Sequence, residues 1–176
     1  FVLNALHLAV DNIHSQSPDT RLIIKDAQLT EPSTGLQLTR ASGPVTLDSL
    51  GVRMPDLRLQ TPYSTAAVKA DFDYEALNDS TDTGARMDIT LDAAIGKDDL
   101  MRFLNDTPEM FRKLWPSGRL DVKGRLYGNV HSATVPQLSI ELPSAFRAEA
   151  SGTVRNIMDT SHLLGQLHWK MKVLAL

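Results

Sequence analysis

Apolar residues occupy every second position in short runs along almost the whole chain, interrupted once by a helical period. Successive side chains of a strand point to opposite faces, so each run describes a strand with one apolar and one polar side. Leu6, Leu8 and Val10 form the first run. Leu22 with Ile24, then Ala27 with Leu29, form a second, whose break in phase predicts a bulge near Asp26. Short pairs follow: Leu36 and Leu38 after Gly35, Val45 and Leu47 after Gly43-Pro44, Val52 and Met54 after Gly51, and Leu57 and Leu59 after Pro55-Asp56. This Gly and Pro punctuation predicts a meander of brief strands. Val68, Ala70 and Phe72, with Lys69, Asp71 and Asp73 opposite, make a longer strand before the polar loop 78–84. Met87, Ile89, Leu91 and Ala93 then alternate with Asp88, Thr90 and Asp92, the cleanest two-faced strand in the chain.

At Gly96 the period lengthens to the helical value. Leu100, Phe103 and Leu104 fall on one face, with Asp98 and Asp99 in the first turn, where the helix dipole favours carboxylates. Thr107 followed by Pro108 predicts the cap of a second helix carrying Met110, Phe111, Leu114 and Trp115, stopped by Pro116-Ser117-Gly118. Strands resume through Leu120, Val122, Gly124, Leu126 and Gly128, then Leu138, Ile140 and Leu142, then Phe146 to Val154, and lastly Leu167, Trp169, Met171 and Val173. The expectation is a mainly β protein of about a dozen strands with one short helical insert at 97–115. So many strands exceed the roughly ten that an open twisted sheet tolerates before it curls or splits. Two outcomes follow: a curled antiparallel β-trough with an apolar interior, or a closed β-sandwich or barrel serving as a structural or interaction domain.

Composition narrows the function. The chain has 176 residues, 42% of them hydrophobic and 22% charged, ordinary values for a folded domain that buries a core. Its net charge of -3 comes from interspersed signs with no basic block, which argues against nucleic acid as a partner. No apolar stretch approaches the roughly 20 residues of a spanning helix. Cysteine is absent, which removes disulfides, thiolate metal sites and thiol nucleophiles. The chain opens without Met and closes on an apolar run, which reads as one section of a longer protein.

Candidate chemistry is sparse. His7, His14, His131, His162 and His168 lack the spacing that aims two imidazoles at one ion. The Asp79 to Gly84 loop offers carboxylates and a glycine in the manner of a calcium loop, without the further glutamate that supplies bidentate ligation. Asp71, Asp73, Asp88 and Asp92 project from polar strand faces, where no burial raises a pKa for acid-base work. No nucleophile elbow or phosphate-cradling glycine loop occurs. The expectation is a non-enzyme with no metal and no cofactor.

The stretches 89–104 (ITLDAAIGKDDLMRFL), 118–129 (GRLDVKGRLYGN) and 138–152 (LSIELPSAFRAEASG) resemble a middle segment of the TamB family, the translocation and assembly module, within the AsmA-like superfamily. Residues 50–64 (LGVRMPDLRLQTPYS) resemble the family's Bacteroidetes members, and the likeness spans most of residues 6 to 155. The resemblance implies a long cell-envelope protein held in the inner membrane by a segment absent here, with a periplasmic β-trough that carries phospholipid toward the outer membrane. It also implies help in assembling outer-membrane proteins alongside an Omp85-type partner, through parts of the chain not present here.

The functional expectation is therefore a non-catalytic conduit. Acyl chains of phospholipid would lie along a groove lined by Leu57, Leu59, Val68, Ala70, Phe72, Met87, Ile89, Leu91, Leu138, Ile140 and Leu142. A continuous apolar wall lowers the cost of moving hydrocarbon through water.

Overall fold

The computed structural model describes residues 4–16, 19–31, 35–78, 84–103, 115, 118–157 and 161–174. Ten strands run in chain order: β1 (Asn4–Gln16), β2 (Asp19–Glu31), β3 (Leu36–Leu47), β4 (Gly51–Gln60), β5 (Thr65–Asp73), β6 (Met87–Ile95), β7 (Leu120–Gly128), β8 (Ser132–Leu142), β9 (Phe146–Arg155) and β10 (Leu164–Val173). Each pairs antiparallel with its sequence neighbours in one sheet, and β1 and β10 are the two free edges. The sheet is open, so the sandwich and barrel alternatives do not form.

Bulges account for ten strands where punctuation suggested a dozen. Pro55 does not end a strand: β4 runs through it, and the β4–β5 register slips between Met54 and Leu57. Pro44 lies inside β3 and Pro136 inside β8, again beside register shifts. Proline lacks the N–H a ladder needs, and a bulge is where its absence costs least. Gly43, at φ +147°, permits a close approach of β3 to β4 at the Pro55-Asp56 bulge, because a Cβ there would stand 2.2 Å from the Asp56 carbonyl oxygen. The slip expected near Asp26 is present, between Ile24 and Ala27.

The helical insert is only partly seen. Helix α1 spans Lys97–Phe103, residues 104–114 lie outside the described residues, and Trp115 is not helical. A single turn of 3-10 helix at Tyr74–Leu77 follows β5.

One side of the sheet is covered and the other is wet. From β4 to β9 every residue on the apolar side is buried or half-buried, while Arg58, Lys69, Asp71, Asp92, Lys123, Arg125, Arg147 and Glu149 on the opposite side are exposed. No second sheet lies over the apolar side among the described residues, so the sheet shields it by curling into a trough. The shielding is incomplete. The accessible surface is 11719 Å² for 19.4 kDa, against about 8,500 Å² for a compact protein of that mass. About 58% of the extended chain's surface is removed from water, a fraction typical of a domain one third as long.

Candidate functional site

The pairing register places all eleven expected groove residues on one side of the sheet. Directly paired residues of antiparallel strands share a face. Leu57 pairs with Val68, Val68 with Leu91, Leu91 with Gly124, and Gly124 with Leu138. Parallel rows carry the others: Leu59 reaches Ile140 through Ala66, Ala93 and Val122, and Ala70 pairs with Ile89. Phe72 pairs with Met87, and Leu142 with Phe146. The result is one apolar surface crossing the sheet, not a set of separate clusters.

The burial pattern distinguishes this surface from a closed core. Among the described residues the fully covered apolar positions are mostly small, such as Ala41, Ala70, Ala93 and Ala133, and the one large side chain below 2% or so of exposure is Leu142. Val68, Phe72, Ile89, Leu91, Leu138 and Ile140 remain half-buried. A dry interior would cover such side chains completely.

Both ends of the trough are tied. At one end the 3-10 turn, the β7–β8 turn and the segment after β9 join through Val130 N–H to the Ala76 carbonyl, 3.0 Å, and Ile157 N–H to the Val130 carbonyl, 2.9 Å. Beneath them Ala76, Met87 and Ala133 pack with Phe72, Ile89, Leu126 and Ile157. His131 joins this end too, its Nε2 lying 3.0 Å from the Asn78 carbonyl oxygen. At the other end buried Asp99, in the first turn of α1, accepts hydrogen bonds from the hydroxyls of Thr61 and Ser64 in the β4–β5 turn. The Arg102 guanidinium donates to the Gly35 carbonyl, linking α1 to the turn before β3.

The charged side is organised by ion pairs across neighbouring strands. Arg53 bonds Asp71 at 2.8 Å and Asp73 at 2.9 Å, Lys123 bonds Asp92 at 3.0 Å, Arg125 bonds Asp88, and Arg147 bonds Glu141. Arg125 also lies over the Tyr127 ring, 5.6 Å from its centre. The hydrogen bond from Arg125 holds the Asp88 carboxyl below its ordinary range, and Asp92 raises the Lys123 ammonium. Backbone N–H groups of Leu50 and Gly51 lower Asp48 in the β3–β4 turn. The Asp88 and Asp48 carboxyls are thus held ionised, the opposite of what a general acid requires.

A groove of about 750 Å³ opens on this charged side beside the Pro55 bulge, bordered by Arg53, Lys69, Asp71, Asp88 and Arg125. Pro55, which local reading takes for a turn, is part of its lining. Other apolar-face residues went unselected from sequence, among them Val122, Leu126 and the exposed Trp169, although their alternation was legible. Among the described residues no group of three or more His, Asp or Glu is placed to hold a metal ion. The calcium-like loop falls largely on 79–83, outside the described residues. No described helix is long and apolar enough to cross a membrane.

Comparison with known proteins returned no match, whether among protein-family models, curated proteins or solved structures.

Proposed function

We propose that this chain is a non-catalytic conduit section that holds the acyl chains of phospholipid against its apolar face. The observation that carries the reading is the continuous, half-buried apolar surface on a single open sheet. Each large apolar side chain left half wet forgoes on the order of 1 kcal/mol of burial, a cost that a hydrocarbon guest would recover. The small residues along the same face, such as Ala66, Ala93 and Gly124, leave the floor of the trough low between its leucines.

The resemblance to the TamB family supports the same reading. On that basis the chain works in the periplasm, as part of phospholipid transport to the outer membrane and of outer-membrane assembly. The Omp85-type partner would be met through other parts of the longer protein.

The experiment is native mass spectrometry of the gently purified chain, with and without prior mixing with phospholipid vesicles. Adducts of phospholipid mass are expected on the wild type. They should vanish in Ile89→Asp/Leu91→Asp while far-ultraviolet circular dichroism keeps its β signature. A wild type that carries no lipid under either condition sinks the proposal.

A further inference from the structure

A second groove, of about 490 Å³, opens on the charged side across β3, β4, β5 and β6. Register explains its lining. Arg40 pairs with Gln60 and Ser42 with Arg58 across β3 and β4, and Ala67 and Asp92 continue the second row on β5 and β6. Directly paired residues share a face, so the two arginines stand diagonally across one strand pair, with the Ser42 hydroxyl and the Gln60 amide at the other two corners. Beside them Ala67 is too short to fill the space.

The charges around the groove are unevenly matched. Asp92, the carboxylate that lines it, bonds Lys123 at 3.0 Å. Arg58 meets Asp56, two residues back on its own strand, at 3.3 Å, with both side chains exposed. An exposed pair of this kind contributes little and is readily exchanged. Arg40 forms no ion pair among the described residues. On β2 the register shift between Ile24 and Ala27 brings Lys25 and Asp26 level with Ser42, and Asp26 accepts from the Gln28 amide at 3.2 Å. Lys25, Arg40, Arg58 and Lys123 thus face Asp26, Asp56 and Asp92, which leaves a surplus of one positive charge. A guanidinium presents a planar fork of N–H donors that matches the oxygens of a phosphate two at a time, and hydroxyl and amide groups add neutral donors.

We propose that Arg40, Ser42, Arg58 and Gln60 form a seat for a phosphate group, carried by a soluble phosphate ester or by a lipid head group. Binding exchanges the loose contact between Arg58 and Asp56 for charge-assisted bonds from both arginines. The seat lies on the side of the sheet opposite the apolar rows, so it stands or falls separately from lipid carriage by the trough.

The test is phosphorus-31 line broadening of inorganic phosphate and of glycerol 3-phosphate by the 176-residue chain, in about 0.15 M salt to screen distant charges. Saturable broadening is expected in the millimolar range. Arg40→Gln and Arg58→Gln should each weaken it about tenfold, the worth of one charge-assisted hydrogen bond. Both arginines are exposed, so either variant serves if the other misfolds. Arg40→Lys, which keeps the charge and loses the fork, should weaken binding as well, whereas Lys69→Gln, the same loss of charge elsewhere on this side, should change it less than about twofold. Vesicles of phosphatidic acid form the second arm. Retention that Arg40→Gln abolishes, without a response to the soluble probes, identifies a lipid head group; retention through the trough survives Arg40→Gln and is lost in Ile89→Asp/Leu91→Asp. No response to the soluble probes together with no Arg40-dependent retention would overturn the proposal. So would soluble-probe binding that Arg40→Gln leaves intact or that Lys69→Gln weakens equally.

Discussion

Truncating Ile89, Leu91 or Leu138 to alanine is expected to cost much less stability than truncating Leu142. Leu142 is 2% exposed, so Leu142→Ala removes methyl groups from full burial and leaves a cavity, at about 2 to 5 kcal/mol. The other three are half-buried on a face with no second sheet over it among the described residues, so truncation forfeits part of the transfer term and creates no enclosed void. About 1 kcal/mol each is expected. For a chain of this length 1 kcal/mol moves the thermal midpoint by about 3 °C, so Leu142→Ala should fall by about 6 to 15 °C and the others by about 3 °C. Equilibrium urea unfolding of the four variants, with thermal scans alongside, measures the difference. Losses above about 3 kcal/mol at Ile89, Leu91 and Leu138 alike would mean a sealed core and would refute the open-trough reasoning.

Stability should fall in acid. Asp88 and Asp48 have folded pKa values below their ordinary range, so their contribution is present above that range and is lost as pH drops below about 4 through the depressed values. Asp88→Asn should flatten the acid limb of a midpoint-against-pH curve, and an unchanged limb would count against the Arg125 pairing. Gly152→Ala should loosen β10 from β9, because at φ +155° a Cβ would meet the Gln166 carbonyl oxygen at 2.0 Å and the Leu167 Cα at 2.9 Å. Faster amide exchange confined to 164–173 is expected, and exchange identical to wild type would contradict it. Asp99→Ala should cost about 1 to 3 kcal/mol by leaving the Thr61 and Ser64 hydroxyls without their acceptor, and a loss under about 0.5 kcal/mol would show that α1 is held by other contacts.

The two-faced character of the strands was legible because period 2 is a local property. Met87 to Ala93 declare their faces without reference to any partner. The break near Asp26 was legible for the same reason, as a phase error within one strand. Pro44 and Pro55 misled because a proline that ends one strand and a proline absorbed by a bulge look alike until the neighbouring strand is placed. Pairing of Asp88 with Arg125, 37 residues apart, follows from the unbroken β6–β7 register, which is set across the long connection between the two strands and by no local pattern. Curling was inferred from strand number, yet it arises with only ten strands, so the count alone did not decide it. Half-burial of Ile89 and Leu138 was beyond sequence altogether, since an open wall and a closed core demand the same alternation.

Photocrosslinking from single positions tests most directly whether the apolar face meets lipid. With p-benzoylphenylalanine at Ile89, Leu91 or Leu138, irradiation in the presence of phospholipid vesicles should give lipid adducts by mass. The same group at Thr90 or Lys123, on the charged side, should give none. Adducts on neither side, or equally on both, would contradict the account.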